Sequence, residues 1–182
     1  MKNNVKLRPL NINDLQGMQE WMTDKECKKW FQFPEEYALA ENIEKFIHNA
    51  SIEIKNGESI HWAISSLEGE YLGTVSLKDV DVKVGKAEYA IALRNKVRGK
   101  GIGEQATKLI LDKAFTEYKL TRVFLNVISD NERAIHMYEK CGFSYEGEFR
   151  NHIFTKDRIC SIKWYAMLKD EYELKIKKDS EK

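Results

Sequence analysis

Three glycines stand within five residues, at Gly99, Gly101 and Gly103. The segment before them, Ala87–Leu93, is a short and mostly apolar run that is typical of a strand. After them, apolar residues recur at helical spacing from Ile102 to about Tyr118. A glycine-rich connection between a strand and a helix lets a ligand approach the backbone, where the unpaired N–H groups of the first helical turn favour an anion. The loop Arg98–Gly103 is therefore predicted to bind a phosphate group.

Two common phosphate-binding patterns do not fit this loop. A P-loop has lysine and then serine or threonine after its last glycine, whereas Glu104 follows Gly103 here. A dinucleotide-binding loop follows its strand closely and has an acidic residue about 20 residues later. Here Arg94–Arg98 separates the strand from the first glycine, and Asn126 lies near the acidic position. A flexible turn without a ligand stays the alternative, although the strand–loop–helix setting favours a binding site.

The remaining periodicities predict one domain with a mixed sheet, of the α/β or the α+β class. In the first half, short loops join the predicted strands 5–10, 59–65, 71–77 and 87–93, with helices over 14–23 and 38–56. In the second half, strands and helices alternate, with strands over 123–127, 144–149 and 159–168. A capping box is predicted from Ser129 and Glu132, ahead of a helix that ends at Gly142. Residues 170–182 are mostly charged and are predicted to fray.

Composition limits the classes of partner. The chain has 30 basic and 29 acidic residues, and a formal net charge of +1 gives no general attraction to nucleic acid or an anionic membrane. Neither a signal-like apolar run near the N-terminus nor a stretch of about 18 apolar residues is present. The three cysteines include no CxxC pair, so no zinc site and no disulfide framework are predicted. We expect a cytoplasmic protein without a metal.

Two motifs, in this order, resemble the GCN5-related N-acetyltransferase (GNAT) superfamily. The loop Arg98–Gly103 is similar to the family's [QR]xxGx[GA] loop, and Asn131–Phe143 is similar to its NxxAxxxYxxxGF segment. The resemblance extends from about Val5 to Leu168 and is strongest after Glu88. It implies a single GNAT domain over residues 1–182, of the α+β class, with a central mixed and mostly antiparallel sheet flanked by helices. It also implies an acyltransferase that moves an acetyl group from acetyl-CoA to an amine.

The resemblance also implies where acetyl-CoA binds. In such enzymes the strand before the loop offers backbone groups to the pantetheine arm, and the loop holds the pyrophosphate. The implied cofactor-binding residues in this chain are Ile91, Ala92, Leu93, Arg98, Gly99, Lys100, Gly101, Ile102, Gly103 and Asn131.

Tyr138 resembles the tyrosine that protonates the departing thiolate in this family. Asn131 and Tyr138 are seven residues apart, close to two helical turns, so both side chains share one helix face. Periodicity without the motif would favour a core aromatic at Tyr138. Glu88 is a candidate general base, with a solvated or ion-paired strand residue as the alternative. His136 and His152 are weaker candidates.

The acceptor amine is left open by the sequence. Arg8-Pro9-Leu10 and Glu146–Arg150 resemble the RimJ/RimL and spermidine acetyltransferase branch. The resemblance implies that spermidine acetyltransferases use acidic residues to hold polycations, at places where this chain has Gln32 and Ser76. The acidic residues Asp79 and Glu35 are nearby in the sequence. A protein N-terminal amine, a polyamine and an amino sugar are all possible acceptors. The expected partners are therefore a small-molecule or peptide amine and further copies of the chain in a homo-oligomer.

An aromatic segment near the first helices adds to the candidate acceptor site, although most of it is predicted to pack in the core. Its members are Trp21, Trp30, Phe31, Phe33 and Tyr37. Two non-enzymatic functions stay open, a coenzyme A sensor on the same fold and a regulator that binds adenine nucleotides. Tyr138 argues against the sensor, because a sensor needs no acid near the sulfur.

Overall fold

The computed structural model describes residues 4–31, 33–50, 52–155 and 158–180, with only the backbone at 179 and 180. Within these residues the strands are β1 Val5–Pro9, β2 Ile60–Ser66, β3 Tyr71–Asp81, β4 Lys86–Leu93, β5 Arg122–Ile128, β6 Ser144–Phe154 and β7 Ile159–Leu168. They form one seven-stranded sheet in the order β1-β2-β3-β4-β5-β7-β6. All neighbours are antiparallel except β4 and β5, which are parallel. The predicted mixed, mostly antiparallel α+β sheet is confirmed.

Helices cover the two faces of this sheet. The described α-helices are α1 Leu15–Thr23, α2 Lys25–Lys28, α3 Ala40–Asn49, α4 Ile102–Asp112, α5 Glu132–Cys141 and α6 Lys169–Ser180. Short 3₁₀ helices lie at Ile12–Asp14, Glu35–Ala38 and Asn95–Val97, and a π-helical turn, Lys113–Glu117, continues α4. No helix in the described parts of the chain has both the length and the apolar character needed to cross a membrane.

The parallel pairing of β4 with β5 is short. It joins Lys86 to Arg122, Ala87 to Val123 and Glu88 to Phe124, and then it stops. Beyond Glu88, β4 continues to pair with β3, while β5 continues to pair with β7. The two strands therefore separate in the middle of the sheet.

Alternation along the strands supplies two hydrophobic cores. On one face, Tyr89 and Leu125 belong to the larger core, which packs against α4 and α5. On the other face, Ala92 belongs to a smaller core with Trp21 and Ile43, which lie on α1 and α3. The central strand β4 therefore contributes side chains to both cores.

The helix predicted over residues 38–56 is shorter in the structure, because α3 ends at Asn49. Ala50 already has extended backbone angles, with φ −65° and ψ 123°. The apolar side chains of Ile52 and Ile54 pack against the larger core instead of extending the helix. The helical spacing of Ile54 was therefore misleading, since the chain crosses here from one core to the other.

The tail after Lys169 was predicted to fray, but α6 occupies Lys169–Ser180. Tyr172 is buried and its ring packs against Phe115, with centroids 4.9 Å apart. Its hydroxyl donates a hydrogen bond to Asp112 Oδ1 at 2.9 Å. One buried aromatic residue thus anchors a segment whose composition is otherwise charged.

Candidate active site

A cleft of about 930 Å³ opens where β4 and β5 separate. Its walls include most of the residues predicted to bind the cofactor or to act in catalysis: Glu88, Ile91, Ala92, Leu93, Arg98, Gly99, Gly101, Gly103, Asn131 and Tyr138. Two predicted residues are placed elsewhere. Lys100 is exposed outside the cleft lining, and Ile102 packs against the larger core.

The glycine-rich loop adopts backbone angles that favour glycine. Gly99 has φ +77°, and Gly101, which precedes the first residue of α4, has φ +75°. A Cβ atom at Gly103 would lie 3.4 Å from Leu93 Cδ1, so the start of α4 lies close to the end of β4. The first-turn N–H groups of α4 therefore begin beside the cleft, where they can bind an anion.

Arg98 forms several contacts with the protein instead of extending freely towards a ligand. Its Nε donates to the Leu93 carbonyl at 3.1 Å, and its Nη1 donates to Asp24 Oδ1 at 2.9 Å. Its Nη2 is buried and has no hydrogen-bond partner among the described residues. The side chain thus fixes the loop to β4 and α2, while one donor is left over.

Asp24 was not identified from the sequence, although it holds Arg98 in place. It also caps α2 by accepting a hydrogen bond from the Cys27 N–H at 2.8 Å. Burial opposes ionisation of Asp24, but the hydrogen bonds from Cys27 and Arg98 outweigh it and lower the pKa of the carboxyl group. The available signal was an aspartate directly before Lys25, at a position that favours a helix cap.

Arg133, a second residue missed from the sequence, brings positive charge to the loop. Its Nη2 lies 3.4 Å from the position that a Cβ atom would take at Gly99. Its location in the first turn of α5, two residues after Asn131, was the sequence signal. Asn131 itself caps α5, because its side chain accepts a hydrogen bond from the Ala134 N–H at 3.3 Å. The predicted capping box is therefore wrong, since Ser129 instead donates to Glu148.

Glu104 also lines the cleft near the loop, but its negative charge is balanced. Lys140 and Lys108 lie 2.7 and 2.9 Å from its two carboxylate oxygens. Hydrogen bonds from these two lysines lower the pKa of Glu104. The carboxylate therefore leaves the loop suitable for an anion.

Tyr138 is 9% exposed and packs edge-on against Tyr89, with ring centroids 5.9 Å apart. Among the described residues its hydroxyl has no hydrogen-bond partner, whereas the Tyr89 hydroxyl lies 2.7 Å from Thr107 Oγ1. Burial raises the pKa of Tyr138 well above its usual value near 10. At neutral pH Tyr138 is therefore a protonated phenol at the cleft wall with an unused donor.

Glu88 lies at the point where β4 and β5 begin to separate. Asn126 Nδ2, on β5, donates to Glu88 Oε1 at 2.9 Å across the opening. Lys78 Nζ lies 3.2 Å from the same oxygen. The carboxylate is thus oriented at the cleft by two contacts, and neither of them uses Oε2.

Cys27, Cys141 and Cys160 are free and buried. Burial raises the pKa of Cys27 and of Cys141 to about 11, so both thiols stay protonated at neutral pH. Within the described residues, no group of three or more His, Cys, Asp or Glu side chains is placed to hold a metal ion.

A second cavity of about 510 Å³, here called the aromatic pocket, lies between β2–β4 and the helices α1 and α3. Its lining residues are Met18, Trp21, Met22, Phe31, Phe33, Tyr37, Asn42, Ile43, Lys45, Phe46, Asn49, His61, Thr74, Ser76, Ala90, Ile91 and Ala92. Trp30, from the same aromatic segment, lines the cleft instead. The predicted acceptor position Gln32 lies outside the described residues.

A comparison of the sequence with known families agrees with this site, which combines the glycine-rich loop, the opening between β4 and β5 and the tyrosine on α5. Residues 4–144 match the family profile described as "Acetyltransferase (GNAT) domain". The chain belongs to the GNAT acetyltransferase family. The family predicted from two motifs is confirmed, together with the N-acetyltransferase class; members of this family use acetyl-CoA as the acetyl donor.

Several relatives of this GNAT protein are named spermidine acetyltransferases. The spermidine N(1)-acetyltransferase of Escherichia coli (strain K12) is 33% identical over 153 residues, covering 82% of this chain and 78% of that protein. The one from Vibrio cholerae is 27% identical over 175 residues, covering 94% and 97%. A crystal structure of spermidine N-acetyltransferase from Vibrio cholerae, in complex with CoA and spermine, matches with a TM-score of 0.82. It is 24% identical and covers 94% of this chain and 99% of that chain, which supports the shared fold.

Proposed function

We propose that this chain transfers the acetyl group of acetyl-CoA to a primary amine by direct attack, with Tyr138 as the general acid. The observation that carries the proposal is the position of Tyr138. It is a buried, protonated phenol without a hydrogen-bond partner among the described residues, on the wall of the cleft between β4 and β5.

The cleft supports a specific placement of the donor. Pantetheine contains two amides, which suit the edge of β4 over Ile91–Leu93, where pairing with β5 has ended. The pyrophosphate would lie on Arg98–Gly103, at the N-terminus of α4. Arg133 adds positive charge there, and Arg98 and Asn131 also line the cleft.

The reaction needs two proton movements. The amine nitrogen attacks the thioester carbonyl carbon, and a backbone N–H of Ile91–Leu93 would hold the resulting oxyanion. When the intermediate collapses, the carbon–sulfur bond breaks and the thiolate takes the proton of Tyr138. Glu88 accepts the proton lost by the amine, directly or through a water molecule. Most of the acceleration would come from holding the amine and the thioester together.

Our proposals for the acceptor and for the assembly state rest in part on the relatives. A polyamine is a candidate acceptor because related proteins are named spermidine acetyltransferases, alongside a protein N-terminal amine and an amino sugar. One related structure is described as dodecameric, and the edge strand β6 of this chain exposes Tyr145, Phe149 and Phe154. These exposed aromatics support a homo-oligomer.

An acetyl-transfer assay tests the proposal. Acetyl-CoA is incubated with the protein and a panel of primary amines, and the release of free thiol is followed. We expect thiol release that depends on both the amine and Tyr138. Tight coenzyme A binding without thiol release for any amine would instead favour the sensor. Equally tight binding of adenine nucleotides that lack pantetheine would favour the nucleotide-binding regulator.

A further inference from the structure

We propose that the aromatic pocket selects acceptor amines that carry one apolar, ring-sized substituent and that it disfavours polyamines. The inference rests on the proposed acetyl transfer and names its substrate class. It is drawn from the chemistry of the pocket walls and from the way the pocket joins the cleft.

The pocket walls present mainly carbon. Trp21 is one of the lining residues, and its ring centroid lies 6.1 Å from that of Phe31 and 6.2 Å from that of Phe33. The polar atom of the Trp21 indole is already used, because Nε1 donates to the Tyr71 hydroxyl at 2.9 Å. Phe46 adds a further ring. An aromatic or branched aliphatic group would therefore find apolar contacts here without displacing a hydrogen bond.

Two polar side chains of the pocket lining, His61 and Ser76, are paired with each other. His61 Nδ1 lies 2.8 Å from Ser76 Oγ, on the neighbouring strand. Burial, followed by the nearby Lys78, lowers the pKa of His61 to about 4, so the imidazole is neutral at pH 7. The Phe46 ring packs edge-on against His61, with centroids 4.7 Å apart. The His61–Ser76 pair consequently offers no negative charge to a cationic ligand.

The charge of the lining disfavours a polyamine. Among the described lining residues there is no Asp or Glu, and the single charged side chain is the positive Lys45. Aromatic faces attract a single ammonium group. A polyamine, however, would bring several positive charges into an apolar space without a carboxylate to pair with them. An amine with one apolar substituent keeps its only charge outside the pocket.

The aromatic pocket opens onto the cleft along β4. Phe31, Ala90, Ile91 and Ala92 line both cavities. Glu88 is two residues before Ala90, so it lies on the same face of the strand. An acceptor with its substituent in the pocket therefore directs its nitrogen towards the cleft, on the side where Glu88 lies. A volume of about 510 Å³ suffices for an aromatic ring and a short alkyl chain.

The first experiment compares matched amines. Thiol release from acetyl-CoA is measured with 2-phenylethylamine, tryptamine, propylamine and spermidine, and kcat/KM is compared. We expect the two aromatic amines to exceed propylamine and spermidine by at least about tenfold. In parallel, calorimetry with the coenzyme A-saturated protein measures amine binding without any turnover. We expect the affinities of the four amines to follow the same order as their kcat/KM values.

Variants at two pocket positions test whether the pocket causes the preference. Phe46→Ala removes a ring from the wall and should lower kcat/KM for 2-phenylethylamine by about tenfold, with propylamine much less affected. Phe46→Leu keeps an apolar wall if the alanine variant folds poorly. Lys45→Glu should raise the affinity for spermidine by about fivefold. Lys83→Glu, at an exposed turn outside both cavities, is the matched control. It should change neither kcat/KM for 2-phenylethylamine nor the affinity for spermidine.

The outcomes separate the acceptor class from the proposed function. Aromatic preference that is lost in Phe46→Ala supports the inference. Two outcomes would overturn the inference but leave the proposed acetyl transfer intact. One is that spermidine is turned over and bound as well as the two ring-bearing amines, and the other is that the preference for these amines is unchanged in both Phe46 variants. Absence of thiol release with every amine contradicts the proposed function. In that case, equal calorimetric affinities for 2-phenylethylamine and spermidine would overturn the pocket assignment independently.

Discussion

The guanidinium of Arg98 and the carboxylate of Asp24 are 2.9 Å apart, and this pair joins the glycine-rich loop to the start of α2. Their side chains are only 16% and 17% exposed, so the contact is largely shielded from solvent. Because Arg98 also holds the Leu93 carbonyl, the pair fixes the loop, the end of β4 and α2 relative to one another. The proposed phosphate site is thereby ordered before a ligand arrives.

The Asp24→Asn substitution keeps an acceptor for the helix cap but removes the charge that pairs with Arg98. We expect the free energy of unfolding to fall by about 1–3 kcal/mol, with weaker coenzyme A binding. Denaturant unfolding and calorimetry measure the two effects. Asp24→Ala, which also removes the cap, should lose more stability. Wild-type affinity in Asp24→Asn would show that the pair does not order the loop.

The Tyr138→Phe substitution removes the proposed acid while keeping the ring that packs against Tyr89. We expect kcat to fall by about 10²–10⁴-fold, with nearly unchanged coenzyme A affinity, because the hydroxyl acts only when the thiolate leaves. Steady-state thiol release and equilibrium binding provide the measurements. Tyr89→Phe is the matched control, since its hydroxyl contacts Thr107 and should affect stability more than turnover. Full turnover in Tyr138→Phe would exclude the role.

The Glu88→Gln substitution tests the proposed base through the pH dependence of the reaction. An acceptor amine with a pKa near 10 is mostly protonated at pH 7, so the loss in kcat/KM should reach about 10²-fold or more there. As the pH approaches 10, free amine becomes abundant and the deficit should shrink. Glu146→Gln, which removes a carboxylate paired with Arg122 away from the cleft, serves as the control. A deficit that is constant with pH would argue against base catalysis.

The Gly101→Ala substitution separates backbone strain from ligand binding. Because Gly101 has φ +75°, alanine should cost about 1–2 kcal/mol of stability, even though no atom lies within 4 Å of the new Cβ. Gly57→Ala is a close match, with φ +79° and equally open surroundings, but it lies away from the cleft. We expect similar losses in thermal stability and weaker coenzyme A binding only in Gly101→Ala. Equal affinities would remove Gly101 from the binding site.

The buried His61 should make the protein less stable in mild acid. Its pKa is lowered to about 4 when folded, against about 6.5 when unfolded, so between these values the unfolded chain binds more protons. Stability from this group is complete above about pH 6.5 and is lost as the pH falls towards 4. Urea unfolding should show a loss from pH 7 to pH 5 that is about 2 kcal/mol larger in the wild type than in His61→Gln. Parallel losses would contradict the expectation.

Local patterns were sufficient for the elements around the cleft. The alternation in β4, the glycines of the loop and the spacing of Asn131 and Tyr138 each depend on a few neighbouring residues. The predicted strand is present as β4, and Gly99, Gly101, Gly103, Asn131 and Tyr138 line one cleft, with Asn131 as the cap of α5. The segment after Asn49 differed because Ile52 and Ile54 pack against a distant core. The conformation of this segment depends on tertiary contacts, which local sequence patterns do not show.

Long-range pairing also explains what the sequence did not reveal in the site. Arg98 was interpreted as a cation for the ligand, but its partner Asp24 is 74 residues earlier in the chain. The contact of Asn126 with Glu88 spans 38 residues and depends on where two parallel strands separate. No local spacing predicts either contact, because both arise only when the sheet has formed.

The early end of the β4–β5 ladder gives the molecule a strand edge at its centre in addition to the edges at β1 and β6. An outer edge is open to a strand from any other chain. The inner edge lies in the cleft, whose walls also include residues of α5 and of the glycine-rich loop. Paired strands lie about 4.8 Å apart, so a chain that hydrogen-bonds to the inner edge would lie at about this distance from β4. An amide-bearing ligand chain that pairs with this inner edge would therefore take the place of a neighbouring strand and complete the sheet at its centre.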